Sequence, residues 1–156
     1  MSLRPFPTSD SGEASSTHER QDSPCESEFA FSGKHFMGSY MGCQYELLTS
    51  PEFVLAAMRE AIEASGASLL NEAVHLFPNG GMTAVFLLSE SHASIHTYPE
   101  HNSCFVDLFT CGETCCPEEF DAVLRRHLNP GRANVKVLLR HELVEDSCRA
   151  GVIGEE

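Results

Sequence analysis

The sequence predicts an α+β domain, a two-layer sandwich whose mainly antiparallel sheet carries helices on one face. Short strand-like segments are bounded by Gly, Pro and Asn clusters. Two longer stretches repeat their apolar residues at helical spacing. Those helices fall between groups of strands, in the order β-α-β-β then β-β-α-β, which favours one sheet covered on one side. The 156 residues fit one domain, and the 42% hydrophobic content is enough for a core although Trp is absent.

The first 32 residues differ from the rest. They hold eight Ser and three Pro, with no apolar periodicity before Phe29 and Phe31. Such a segment buries too little surface to offset the entropy of ordering, so 1–32 is expected to be a disordered extension. From Gly33 onward the elements follow in turn. Lys34–Tyr40 reads as a strand between glycines. Thr49-Ser50-Pro51-Glu52 supplies a hydroxyl cap, a first-turn Pro and a charge suited to the helix dipole. Phe53, Val54, Ala57, Met58, Ala61 and Ile62 give that helix its stripe, and Gly66 ends it. Ser68–Phe77 and Met82–Leu88 are strands around the turn Pro78-Asn79-Gly80-Gly81. His92–Thr97 and Ser103–Phe109 follow, separated by Tyr98-Pro99-Glu100-His101-Asn102. A second helix starts near Pro117, buries Phe120, Val123, Leu124 and Leu128, and stops at Asn129-Pro130-Gly131. Val135–Leu139 is the last strand, the folded part runs over 33–143, and 144–156 is a loose acidic tail.

Ten Lys plus Arg stand against 23 Asp plus Glu, a formal charge of −13. That balance argues against nucleic-acid binding, which needs clustered cations, and against an anionic membrane surface. No apolar run is long enough to span a bilayer, and Met1–Asp10 has no apolar signal core, so a cytoplasmic location is expected. Seven cysteines are an odd number and read as free thiols of a reducing compartment. Cys111, Cys115 and Cys116 lack the spacing of a zinc knuckle, so no metal is expected.

The chemistry concentrates in Leu88–Glu100, which packs three Ser, two His and two Glu into a strand-like stretch. Asp107-Leu108-Phe109-Thr110-Cys111-Gly112 adds a thiol at a strand end. Ser91 and His96 are five apart, so on an unbroken strand they face opposite sides. On spacing alone, a half-buried polar strand with no chemistry accounts for the stretch better than a site does.

Glu90-Ser91-His92-Ala93-Ser94-Ile95-His96-Thr97-Tyr98-Pro99-Glu100, with Asp107–Gly112, resembles the short bacterial and archaeal S-adenosylmethionine decarboxylase proenzymes. The likeness extends through Gly33-Lys34-His35 and His75-Leu76-Phe77, about Gly33 to Leu143. It implies an enzyme that makes its own cofactor. The Ser91 hydroxyl attacks the Glu90 carbonyl at a strained peptide, giving an ester. Elimination cuts the chain between 90 and 91, and Ser91 becomes the pyruvoyl group of the new α chain, without metal. His96 matches the residue that transfers a proton in processing, and Thr83 stands where relatives commonly carry Ser. Ser91, as pyruvoyl, forms a Schiff base with the substrate amine, and Cys111 matches the donor that returns a proton after carbon dioxide leaves. An ordinary thiol keeps most of its proton at neutral pH, which suits that role.

Phe77 and Tyr98 match aromatic positions of the substrate pocket, and Glu90 and Glu100 are candidate polar contacts to amine or ribose. The resemblance further implies S-adenosylmethionine as substrate, spermidine synthesis as the destination of the product, and a homo-oligomer of cleaved protomers, a dimer. Three positions depart from the family pattern: Ser39 and Gln44 replace acidic residues and Tyr98 replaces Trp. These leave room for another amino-acid substrate, ornithine or arginine, on the same scaffold. A non-catalytic regulatory homologue is the third reading, and Ser91, His96 and Cys111 together weigh against it.

Overall fold

Ten-residue strand β1 (Ser32–Met41) shows how this sheet acquires two unlike faces. Its Phe36, Gly38 and Tyr40 are buried while His35, Met37 and Ser39 are only half covered, the period-two signature of a strand with one packed side. The computed structural model describes residues 32–111 and 115–141. Strands β2 (Leu69–Leu76), β3 (Met82–Leu88), β4 (Ser91–Tyr98), β5 (Ser103–Thr110) and β6 (Arg132–His141) complete a six-stranded sheet. Its spatial order is β2-β3-β4-β5-β1-β6, with every neighbouring pair antiparallel. The predicted fold class is what the structure shows.

Helices α2 (Pro51–Ala64) and α3 (Pro117–Leu128) supply the second layer, and a short α1 (Tyr45–Leu48) precedes them. The core is Phe36, Tyr40, Phe86, Ile95 and Leu108 from the sheet against Met58, Ile62, Phe120 and Leu124 from the helices. Phe36 and Phe120 meet edge to face at 5.5 Å. Among the described residues, no helix covers the opposite face. Val85, Leu87, Phe105 and Leu138 lie there, 46–54% exposed.

Several boundaries differ from expectation. Ser32 is the first residue of β1, paired with His141, so it does not belong to the extension. The remaining extension and the acidic tail lie outside the described residues. The hydroxyl cap expected for α2 is Ser50, which accepts from Phe53 N–H, while the Thr49 hydroxyl donates back to the Tyr45 carbonyl at 3.1 Å. Helix α1 leaves no signal in the sequence, because its four residues show no apolar period. Gln44, one of the departing positions, is exposed at the start of that helix. Strand β6 runs well past Val135–Leu139, and Phe77 lies beyond β2 in the turn to β3. Among the described residues no helix is long and apolar enough to cross a membrane.

Tyr40 ties the two layers together. Its buried hydroxyl donates to Asp121 Oδ1 at 2.6 Å, and Arg125 Nε donates to Asp121 Oδ2 at 2.7 Å. Burial, then the hydrogen bond to Asp121, pushes the Tyr40 hydroxyl well above the usual tyrosine value. The folded state thus holds a proton that the unfolded chain releases above about pH 10, so this contribution to stability is full below that pH and declines above it. Tyr40→Phe is expected to cost about 1–3 kcal/mol at neutral pH. That deficit should shrink above about pH 10 in denaturant titrations of both proteins across pH.

Candidate active site

The turn between β3 and β4 is only Ser89 and Glu90, and it is pinned on both sides. Ser89 N–H donates to the Ser68 carbonyl at 3.0 Å, and Ser68 N–H donates to Glu90 Oε2 at 2.9 Å. Burial acts to raise the Glu90 carboxyl, but hydrogen bonds led by those from Ser89 and Ser68 outweigh it and hold the group below the usual range. The Glu90 carboxylate is therefore engaged by the protein's own backbone. Its main-chain carbonyl accepts from Cys111 N–H at 3.1 Å. Ser91 opens β4 opposite Thr110. Its φ of 158° is positive, a backbone conformation that residues with a side chain rarely adopt. The buried Thr110 hydroxyl has no hydrogen-bond partner among the described residues.

Ser91, Glu90 and Cys111 thus converge although the serine and the cysteine are twenty positions apart in the chain. The β4–β5 ladder does this, placing the end of β5 beside the start of β4. The Cys111 side chain is exposed and borders a concavity of about 350 Å³ with Gly33, Lys34 and Arg140.

A second cluster forms at the other end of β4. Thr83 and His96 are register partners, and Thr83 Oγ1 lies 2.5 Å from His96 Nδ1. The His96 ring is 4.3 Å from Tyr98 and 5.5 Å from Phe77. Phe77 is set by the turn after β2, where its N–H donates to the Gly81 carbonyl at 2.8 Å and Gly80 takes φ 84°. Only a residue without Cβ adopts that angle at no cost. Phe77, Asn79, His96, Tyr98 and Glu100 line a groove of about 360 Å³, with Asn79 Nδ2 donating to Glu100 at 3.3 Å. The three residues expected in a substrate pocket, Phe77, Tyr98 and Glu100, are together here. Departing residue Ser39 is on the same open face, across Phe105 from His96.

The two clusters do not meet. Ser91 begins β4 and His96 is five residues along it, about 16 Å at the rise of a strand. They also differ in face, as their spacing predicts. His96 alternates with the buried Ala93, Ile95 and Thr97, while Ser91 shares their parity. Sequence patterning assigns no role to the Cys111 amide, the Ser68 tether or His92, whose Nδ1 lies 3.0 Å from Ser91 Oγ. Only His92 left a trace in sequence, as the residue following the serine.

Among the described residues, no group of three or more His, Cys, Asp or Glu side chains is placed to hold a metal ion. Cys115 is buried, and Cys116 Sγ donates to Glu118.

A family model described as S-adenosylmethionine decarboxylase matches residues 34–141. The chain belongs to this decarboxylase family. The S-adenosylmethionine decarboxylase proenzyme of Brevibacillus brevis is 41% identical over 113 residues, covering 72% of this chain and 85% of the relative. The proenzyme of Methanococcus vannielii is 38% identical over 103 residues, 66% of this chain and 84% of its own. The crystal structure of the adenosylmethionine decarboxylase from Aquifex aeolicus superposes with a TM-score of 0.67 at 28% identity, covering 76% of this chain and 98% of that one. The matched region of the family model contains both clusters and every strand from Lys34 onward.

Proposed function

We propose that this member of the family is a self-processing S-adenosylmethionine decarboxylase, a carboxy-lyase that cleaves itself between Glu90 and Ser91 and uses the resulting pyruvoyl group. The observation that carries the reading is the hydrogen bond from Cys111 N–H to the Glu90 carbonyl, 3.1 Å long. A donor fixed on that oxygen polarises the carbonyl and stabilises the negative charge that grows on it as Ser91 attacks. The neighbouring residues suit the later steps of cleavage. The attack leaves Glu90 esterified to the Ser91 oxygen, and loss of the Ser91 Cα proton then breaks the bond between Cα's side-chain carbon and that oxygen. His96, aligned by Thr83, is the group for that proton transfer.

Once formed, the pyruvoyl group supplies an electron sink at the substrate's α-carbon. Phe77 and Tyr98 offer flat faces to an adenine and π-density to a sulfonium. Glu100, held by Asn79, accepts from ribose hydroxyls or the amine. Tyr98 in place of Trp keeps an aromatic face against His96. Cys111 Sγ returns a proton to the carbon that lost carbon dioxide.

Because His96 and Ser91 are about 16 Å apart along one strand, a second copy completes the site. Two sheets stacked open face to open face about a two-fold axis oppose the Ser91 end of one β4 to the His96 end of the other. Exposed Val85, Leu87, Phe105 and Leu138 on that face support the arrangement, since apolar area of this kind marks an interaction surface.

Intact mass under denaturing conditions tests the reading. The expected result is two fragments, residues 1–90 and a smaller one starting at position 91 with a blocked terminus, in protein that releases carbon dioxide from S-adenosylmethionine. A single folded, uncut 17.1 kDa species would count against it decisively.

A further inference from the structure

The Glu90-Ser91-His92 stretch contains one side chain that the proposed cycle leaves idle. His92 Nδ1 lies 3.0 Å from Ser91 Oγ. Consecutive strand residues point to opposite faces, so this contact is not a by-product of β geometry. It arises because Ser91 is the first residue of β4, directly after the pinned turn. The imidazole is exposed yet held. Its ring packs 5.8 Å from Phe109, its register partner on β5. Phe109 is in turn fixed by the Arg140 guanidinium at 4.6 Å and the His35 ring at 5.6 Å. It also covers Gly33, where an added Cβ would come within 2.6 Å of the ring.

Resting on the self-processing reading, we infer that His92 is the base that takes the Ser91 hydroxyl proton and so starts the cleavage. A nucleophile and a base in hydrogen-bond contact, with the base oriented by a third group, is the arrangement such a step needs. Here Phe109 orients by packing. With its own proton on Nε2, His92 accepts the Oγ proton at Nδ1. The Oγ–C bond forms at the Glu90 carbonyl carbon, and the carbonyl electron pair moves onto the oxygen held by Cys111 N–H. When that pair returns, the Glu90 C–Ser91 N bond breaks, and the proton on Nδ1 passes to the departing nitrogen. Hydroxyl and nitrogen belong to one residue, so a single imidazole reaches both, and it ends the step as it began. His96 keeps the later elimination, which divides the two histidines between two bonds.

The division gives the test, because hydroxylamine cuts an ester quickly and leaves an amide intact. Freshly translated full-length chains are followed by mass with and without hydroxylamine, and circular dichroism checks folding. His92→Ala is expected to mature about a hundred-fold more slowly, to be accelerated by added imidazole, and to stay uncut in hydroxylamine. His96→Ala is expected to be cut at 90–91 by the same reagent. His92→Asn keeps a hydrogen-bonding atom without a base and should be as slow as His92→Ala. Maturation of either His92 variant at the wild-type rate would overturn the inference, as would rapid hydroxylamine cleavage of both. Failure of the wild type itself to cleave would instead remove the self-processing reading.

Discussion

Co-expressed Ser91→Ala and His96→Ala chains are expected to yield one cleaved species, and it should be the His96→Ala chain. Neither variant expressed alone should mature: the first has no nucleophile and the second no proton carrier for the elimination. In a mixed dimer built face to face, the intact Ser91 of one chain meets the intact His96 of its partner, while the reciprocal site carries both substitutions. Random pairing makes about half of the dimers mixed, so about a quarter of all chains should be cut. Denaturing mass identifies which chain was cut, because the two α fragments differ in sequence. If each site were assembled within one chain, the mixture would stay as uncut as its parts. The prediction rests on β4 geometry, with Ser91 and His96 at opposite ends of one strand and the Ser91 hydroxyl turned toward His92, which lies on the open face with His96.

That separation was legible in the sequence, because parity along a strand follows from counting. So were the helix start at Ser50-Pro51 and the strand Met82–Leu88, where alternation and turn residues agree. The two clusters were not. Glu90 and Cys111 meet because β4 pairs with β5 in one register, and Thr83 meets His96 because β3 pairs with β4 in another. A shift of one residue in either ladder would undo the contact, and no local pattern encodes the register. Strand β6 was underestimated for a related reason. Arg132, Lys136 and Arg140 share its open face, so apolar periodicity sees only the middle of a ladder that backbone pairing extends to both ends. The fate of Glu90 was equally hidden, since its partner Ser68 is 22 residues away.

Cys111 is the residue at which backbone and side chain are expected to do separable work, and substitution should split them. Its N–H holds the Glu90 carbonyl, whereas its exposed thiol faces the concavity beside Gly33. The nearby cations have other engagements: Lys34 Nζ donates to the Cys115 carbonyl at 3.2 Å, and Arg140 lies over Phe109. Cys111→Ala keeps the amide and loses the proton. It is expected to mature to the same two fragments as wild type, yet to release carbon dioxide about 10²–10⁴-fold more slowly, the range for loss of a positioned acid. Cys111→Pro removes the amide hydrogen as well, and should remain uncut. Mass spectrometry reads the first effect and carbon dioxide release the second, on the same preparations. An alanine variant that stayed whole would place the thiol in the cleavage itself. One that turned over normally would move the proton to another group, and the polarised carbonyl would then be all that Cys111 contributes.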